Sequence, residues 1–150
     1  MDLKCYEREL NGFELAVCEN QGALLRDCQQ DFGVDACDFA EAFMTGPVAA
    51  SMDDPVSPYH NNGTRQIGTA VLRQRPIKPF CDETLNPDAL YWAGYLYRYW
   101  SWWLGARSRD MYSVVAVEEM LAAYGLHILS PERAIAKLLE RNTVSVEAAD

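Results

Sequence analysis

The chain is short of histidine, of paired cysteine motifs and of long apolar runs, and each shortage removes a class of function. Only His60 and His127 are present, and the five cysteines, Cys5, Cys18, Cys28, Cys37 and Cys81, form no CxxC pair. No zinc site of familiar ligand spacing can be written from that set. An odd number of scattered cysteines reads as reduced thiols, several of them packed as small hydrophobes. The longest apolar stretch, Ala89 to Leu104, is interrupted by Arg98 and is too short to span a bilayer. The opening residues, Met1-Asp2-Leu3-Lys4-Cys5-Tyr6-Glu7, lack the basic-then-apolar plan of a signal peptide, so the sequence predicts a soluble, cytoplasmic protein. Glycine-rich phosphate loops and the HExxH and GxSxG motifs are missing too. No metal, cofactor or catalytic residue is therefore assigned.

Basic charge is also scarce. Thirteen Lys and Arg face 22 Asp and Glu, for a net charge of −9. Residues 1–54 carry 12 acids and 3 bases, residues 55–109 carry 3 acids and 7 bases, and residues 110–150 carry 7 acids and 3 bases. Such a chain is poorly suited to direct nucleic-acid binding, which is driven by cationic side chains displacing counterions. It is better suited to meeting a basic partner protein, because complementary fields speed association.

What is present is a core. A chain of 150 residues with 49% hydrophobic residues fits one domain, residues 1–150. Leu10 to Cys18 fits either a short strand or the start of a helix. Asn20 to Phe32 has helical spacing at Leu24, Leu25, Cys28 and Phe32, with Gly33 as its stop. Asp35 can cap a helix that buries Phe39, Ala40 and Phe43 and ends at a left-handed Gly46. Pro47 opens another short helix, through about Met52. Asp53 to Asn62 reads as a proline loop, and Thr64 as the cap of a helix over Arg65 to Arg73. Arg75 to Asn86 is a second loop. Asn86-Pro87 is a strong helix start, and Gly105 is the matching stop. Helices starting at Ser108 and spanning Val117 to Tyr124 follow, then one opened by Ser130-Pro131, with 143–150 as a frayed tail. Phe13 to Val17 and Val144 to Val146 alternate well enough for a minor β-hairpin. The predicted fold is all-α, a compact single-domain bundle of short helices around an aromatic helix at about 87–104.

That helix is the most distinctive segment. Tyr91, Trp92, Tyr95, Tyr97, Tyr99, Trp100, Trp102 and Trp103 fall within 13 residues and point all the way round at about 100° each. Most of these rings must be packed, and their polar tips need partners. Arg98 must be paired, stacked on a ring or exposed at the rim. Tyr, Trp and Arg also dominate interface hot spots. A partner surface is therefore expected to draw on Tyr91, Tyr97, Arg98 and Trp102, with Asp53 and Asp54 of the proline loop contributing charge.

The run Phe43-Met44, Tyr59, Asn62-Gly63-Thr64, Tyr91-Trp92-Ala93-Gly94-Tyr95, Tyr99, Trp103, Gly105, Tyr124 and His127 resembles a group of uncharacterised small proteins of gut bacteria. Those proteins, from Firmicutes and Actinobacteria, come from loci that resemble toxin–antitoxin pairs. The resemblance covers roughly residues 40–130 and departs from the pattern at Arg65 to Gly68. Its motifs are aromatic and structural, so it implies no activity.

The leading expectation is a non-enzymatic acidic interaction module that binds and neutralises a partner protein. An antitoxin or a phage-type inhibitor such as an anti-CRISPR belongs to this class. The partner would be basic, such as a toxin or a nucleic-acid-binding protein. One alternative is a helix-turn-helix regulator using residues 108–127, although Glu118 and Glu119 would then face phosphate. Another is a small hydrolase or transferase using His60 with Asp53 or Asp54 in the 53–63 loop.

Overall fold

The computed structural model describes residues 9–80 and 85–149, with side chains through Asn142. Cys5 and Cys81, together with Asp82 and Glu83 beside the latter, lie outside the described residues. Among the described residues the fold is an all-α bundle of eight helices. They are α1 (Gly12–Phe32), α2 (Ala36–Thr45), α3 (Pro47–Met52), α4 (Thr64–Leu72), α5 (Pro87–Leu104), α6 (Ser108–Val114), α7 (Val117–Ala122) and α8 (Pro131–Ala149). Short 3-10 turns at Pro58–Asn61 and Tyr124–Ile128 complete it. No described helix is long and apolar enough to cross a membrane.

Most helix ends follow the sequence. Gly33 and Gly105 are left-handed, at φ 64° and 69°. Asp35 caps α2, and Asn86 with Pro87 opens α5. Several expectations need correction. The ambiguous stretch before Cys18 is helical, because Asn11 and Glu14 form a reciprocal capping box at 2.9 and 3.0 Å. Phe13 to Val17 therefore lie in α1, and Val144 to Val146 lie in α8, so the expected hairpin does not form. Among the described residues the only β pairing is an isolated bridge between Val34 and Pro79. The 143–150 segment, expected to be frayed, is helical through Ala149, with no glycine or proline after Pro131 to stop it. Gly46 is extended rather than left-handed, at φ −101° and ψ 179°, because Pro47 follows it and disfavours helical geometry. The helix expected over Val117 to Tyr124 ends at Ala122 and gives way to the second 3-10 turn.

Helix α5 is central. It packs against α1 along its length and meets α6, α7 and α8 on other sides. The close approach of α1 is permitted by glycine on both helices: Gly22 sits under Tyr91, and Gly94 faces the backbone of Gln21. Leu90, Leu96, Tyr97, Trp100 and Trp103 join Phe39, Phe43, Met52 and Ile135 in one continuous core. The second loop is fixed to α2 by Asp38, which takes Arg75 at 3.0 Å and the Lys78 amide at 2.7 Å.

Candidate functional site

Two features distinguish α5: a largely buried polar hub at its C-terminal half and a partly open tyrosine ridge on the α1 and α8 side. The hub is built on Arg98, which is wholly buried. Its Nε donates to Gln21 Oε1 of α1 at 2.9 Å, and its Nη1 donates to Asp53 Oδ1 at 2.7 Å. The guanidinium also lies 5.4 Å from the centroid of the Trp102 ring. Gln21 Nε2 in turn donates to the Gly94 carbonyl at 3.0 Å. Asp53, just past α3, receives further donors from α6: the Ser108 amide at 2.9 Å and the Ser108 hydroxyl at 2.5 Å. Trp102 Nε1 donates to the Asp53 carbonyl at 2.9 Å. Ser108 opens α6, as the sequence predicts, and Arg107 takes the cap position. At α4 the expected Thr64 cap is displaced to Gly63, whose amide is held by Gln66 Oε1 at 3.0 Å.

This geometry decides the fate of the residues expected at a partner surface. Tyr97 is fully buried and donates its hydroxyl to the Val115 carbonyl at 2.5 Å. Burial pushes its hydroxyl pKa well above the ordinary tyrosine value. Arg98 and Trp102 are buried in the hub, and Asp53 is committed to them. These four residues are internal connectors, not an open face. The sequence required Arg98 to be paired, stacked or exposed, and it is both paired and stacked. Asp54 is exposed, but its carboxylate accepts the Val56 amide at 3.0 Å within its own loop. Tyr91 is half-exposed.

His60 and the two aspartates do not form a catalytic cluster. His60 Nε2 donates to the Asp54 carbonyl at 2.9 Å, not to a carboxylate, while the Asp53 carboxylate faces Arg98 and Ser108. The imidazole is set edge-on between Phe13 and Trp102, at 6.0 and 5.3 Å between ring centroids. Burial, with a contribution from the Arg98 charge, lowers its pKa below the ordinary 6.5. The unfolded chain therefore takes up this proton first as pH falls. His60 contributes its full stability above pH 6.5, and that contribution is lost as pH drops through the folded pKa. Chemical unfolding is expected to show lower stability at pH 5 than at pH 7.5, with a smaller difference in His60→Gln. An unchanged pH dependence in the variant would exclude the effect. Asp38, whose pKa Arg75 holds below 3.8, acts in a separate and more acidic window.

Among the described residues no group of three or more His, Cys, Asp or Glu side chains is placed to hold a metal ion. Cys18, Cys28 and Cys37 are unpaired thiols. Burial raises the first two to a pKa of about 12 and Cys37 to about 11, which suppresses the reactive thiolate. Helices α6 and α7 are joined by two residues, and the six-residue α7 carries Glu118 and Glu119 on its exposed side.

The ridge was only partly legible in the sequence. Tyr91, Tyr95 and Tyr99 follow at one-turn spacing, with ring centroids 6.3 and 6.2 Å apart. Tyr91, Trp92 and Tyr95 are half-exposed. Tyr99 donates a short hydrogen bond to Glu132 of α8. Trp92 packs edge-on against Tyr124, which stacks on His127 at 4.2 Å. Burial raises the Tyr95 hydroxyl to about 12, and the charges of Glu19 on α1 and Glu132 on α8 add to the shift. Glu19 and Arg26 also act on Tyr91, and Asp88 acts on Arg26. Among the described residues Glu19, Asp88 and Glu132 have no ion-pair partner. The sequence counts Tyr95 among the rings without placing it at the expected partner surface, and it does not single out Glu19, Arg26 and Glu132. Their one local signal is the i, i+4 spacing of Tyr91, Tyr95 and Tyr99, and the carboxylates arrive from other helices. No family model, curated protein or solved structure matches the chain.

Proposed function

We propose that this chain is a non-enzymatic, cytoplasmic interaction module that binds and neutralises a basic partner protein, in the manner of an antitoxin or a phage-type inhibitor. One observation carries the reading. The partly exposed rings of Tyr91 and Tyr95 sit in a negative field: Glu19 of α1 acts on both, Glu132 of α8 bonds the adjacent Tyr99 and acts on Tyr95, and Asp88 of α5 acts on the Arg26 that covers Tyr91. Rigid tyrosine surface costs little side-chain entropy on binding and is typical of interface anchors. Surrounding negative charge steers a cationic partner toward it. The net charge of −9 acts in the same direction.

The test is affinity capture with the full chain from cells that carry its gene, beside a variant combining Glu19→Gln, Asp88→Asn and Glu132→Gln. A basic protein is expected to be retained at low salt by the wild type, and its association rate to fall about 10-fold or more in the variant. Equal association rates for both chains across a salt series would overturn the reading.

A further inference from the structure

We propose that Tyr91 and Asp27 form a seat for a guanidinium group, which Arg26 occupies in the free chain and an arginine side chain of the basic partner takes over in the complex. The proposal rests on the reading above and specifies the chemistry of the partner. Arg26 places its guanidinium carbon 5.4 Å from the Tyr91 ring centroid. It makes a two-pronged contact with the adjacent Asp27 carboxylate, Nε to Oδ1 at 2.8 Å and Nη2 to Oδ2 at 3.0 Å. A ring face with a carboxylate beside it is the standard pairing for a planar guanidinium.

The Tyr91 side of the seat is fixed by close packing, and the arginine that occupies it is not. Tyr91 is held from below by Gly22, where even a Cβ would come within 2.8 Å of the Tyr91 backbone oxygen. The Arg26 side chain is 41% exposed and Asp27 is 34% exposed, so both can reorganise without disturbing the core. An exposed pair of this kind is worth little to folding. Displacing Arg26 therefore costs little, while Glu19, two turns earlier on α1, adds negative charge to the surroundings of Tyr91. Tyr95 extends the aromatic surface by one more ring, so a second cationic side chain of the same segment has a place to stack.

The probe is a capped peptide with four arginines separated by glycine and serine, compared with its lysine counterpart at low salt by titration calorimetry. The arginine peptide is expected to bind more tightly than the lysine peptide. Tyr91→Leu is expected to weaken arginine binding about 3–30-fold, while Tyr91→Phe, which keeps the ring face, retains it. Arg26→Gln frees the seat and is expected to tighten binding several-fold. Arg107→Gln, which removes the same charge beyond the other end of α5, is expected to change affinity by less than about twofold.

Equal binding of both peptides, unaffected by the Tyr91 and Arg26 variants but lost on neutralising Glu19, Asp88 and Glu132, overturns the seat and leaves the acidic reading standing. An equal gain from Arg26→Gln and Arg107→Gln also overturns the seat, since general electrostatics then suffices. Absence of binding by either peptide overturns both. A second copy of the chain as the occupant would appear as dimerisation in sedimentation that Tyr91→Leu abolishes, and it too overturns the proposal.

Discussion

Asp53→Ala is expected to lower the unfolding free energy by about 3–5 kcal/mol, measured by urea denaturation. The reason is asymmetric burial within the hub. Arg98 has no exposed side-chain surface, whereas Asp53 keeps 17% of its side chain at the rim. Removing the carboxylate leaves a guanidinium charge in the core with only neutral acceptors, chiefly Gln21. It also leaves the Ser108 amide and hydroxyl without the acceptor that positions α6. Removing the cation instead is milder. In Arg98→Met the Asp53 carboxylate retains both Ser108 donors, and the new side chain fills the apolar part of the site. Asp53→Ala is therefore expected to destabilise more than Arg98→Met. The reverse order, or a loss below about 1 kcal/mol for Asp53→Ala, would exclude the hub as an energetic link between α1, α5 and α6.

Gly94→Ala is expected to destabilise by about 1–3 kcal/mol or more, although alanine is the better helix former by about 1 kcal/mol. A Cβ at position 94 would lie 2.5 Å from the Gln21 backbone oxygen and 3.0 Å from Gly22 Cα. Neither is the end of a flexible side chain, so relief requires α1 and α5 to separate. That separation would also strain the Gln21 to Gly94 bond at 3.0 Å that orients Gln21 toward Arg98. Gly12→Ala is the matched comparison. It lies in the first turn of α1 with nothing within 4 Å of the added carbon, and a neutral to slightly stabilising effect is expected. Thermal or urea unfolding of the pair should show opposite signs. A stabilising Gly94→Ala would mean that the two helices do not pack as closely as described.

Much of the helix layout was legible because capping is local chemistry. Asn86-Pro87, Gly105, Asp35 and Gly33 mark their helix ends with side chains or backbone angles that neighbouring residues alone specify. The same logic was available at the first helix, where Asn11 and Glu14 stand three apart, but the alternation of Phe13, Leu15 and Val17 left strand and helix both open. Two terminal hydrogen bonds and tertiary burial of Val17 outweigh that pattern. Ser108 marks the start of α6 in the sequence, but its amide and hydroxyl go to Asp53, 55 residues upstream, so only the folded chain reveals that link.

The aromatic helix shows where the division falls. Eight rings around a full circumference dictate by themselves that most of the helix is buried, since a hydrophobic surface facing every direction has no favourable solvent side. Which rings keep an open edge depends on neighbours far away in sequence. Helix α1 approaches through Gly22 and Gly94 and shields one flank, and α8 reaches Tyr99 through Glu132. Tyr97 is covered by Tyr112 and Val115, Arg98 by Gln21 and Asp53, and Trp102 by Asp53 and His60, while Tyr91 and Tyr95 are left partly open. Sequence determined the amount of aromatic surface and the helix that carries it. Tertiary packing decided where water still reaches it, because exposure depends on the shapes of surfaces that meet only after folding.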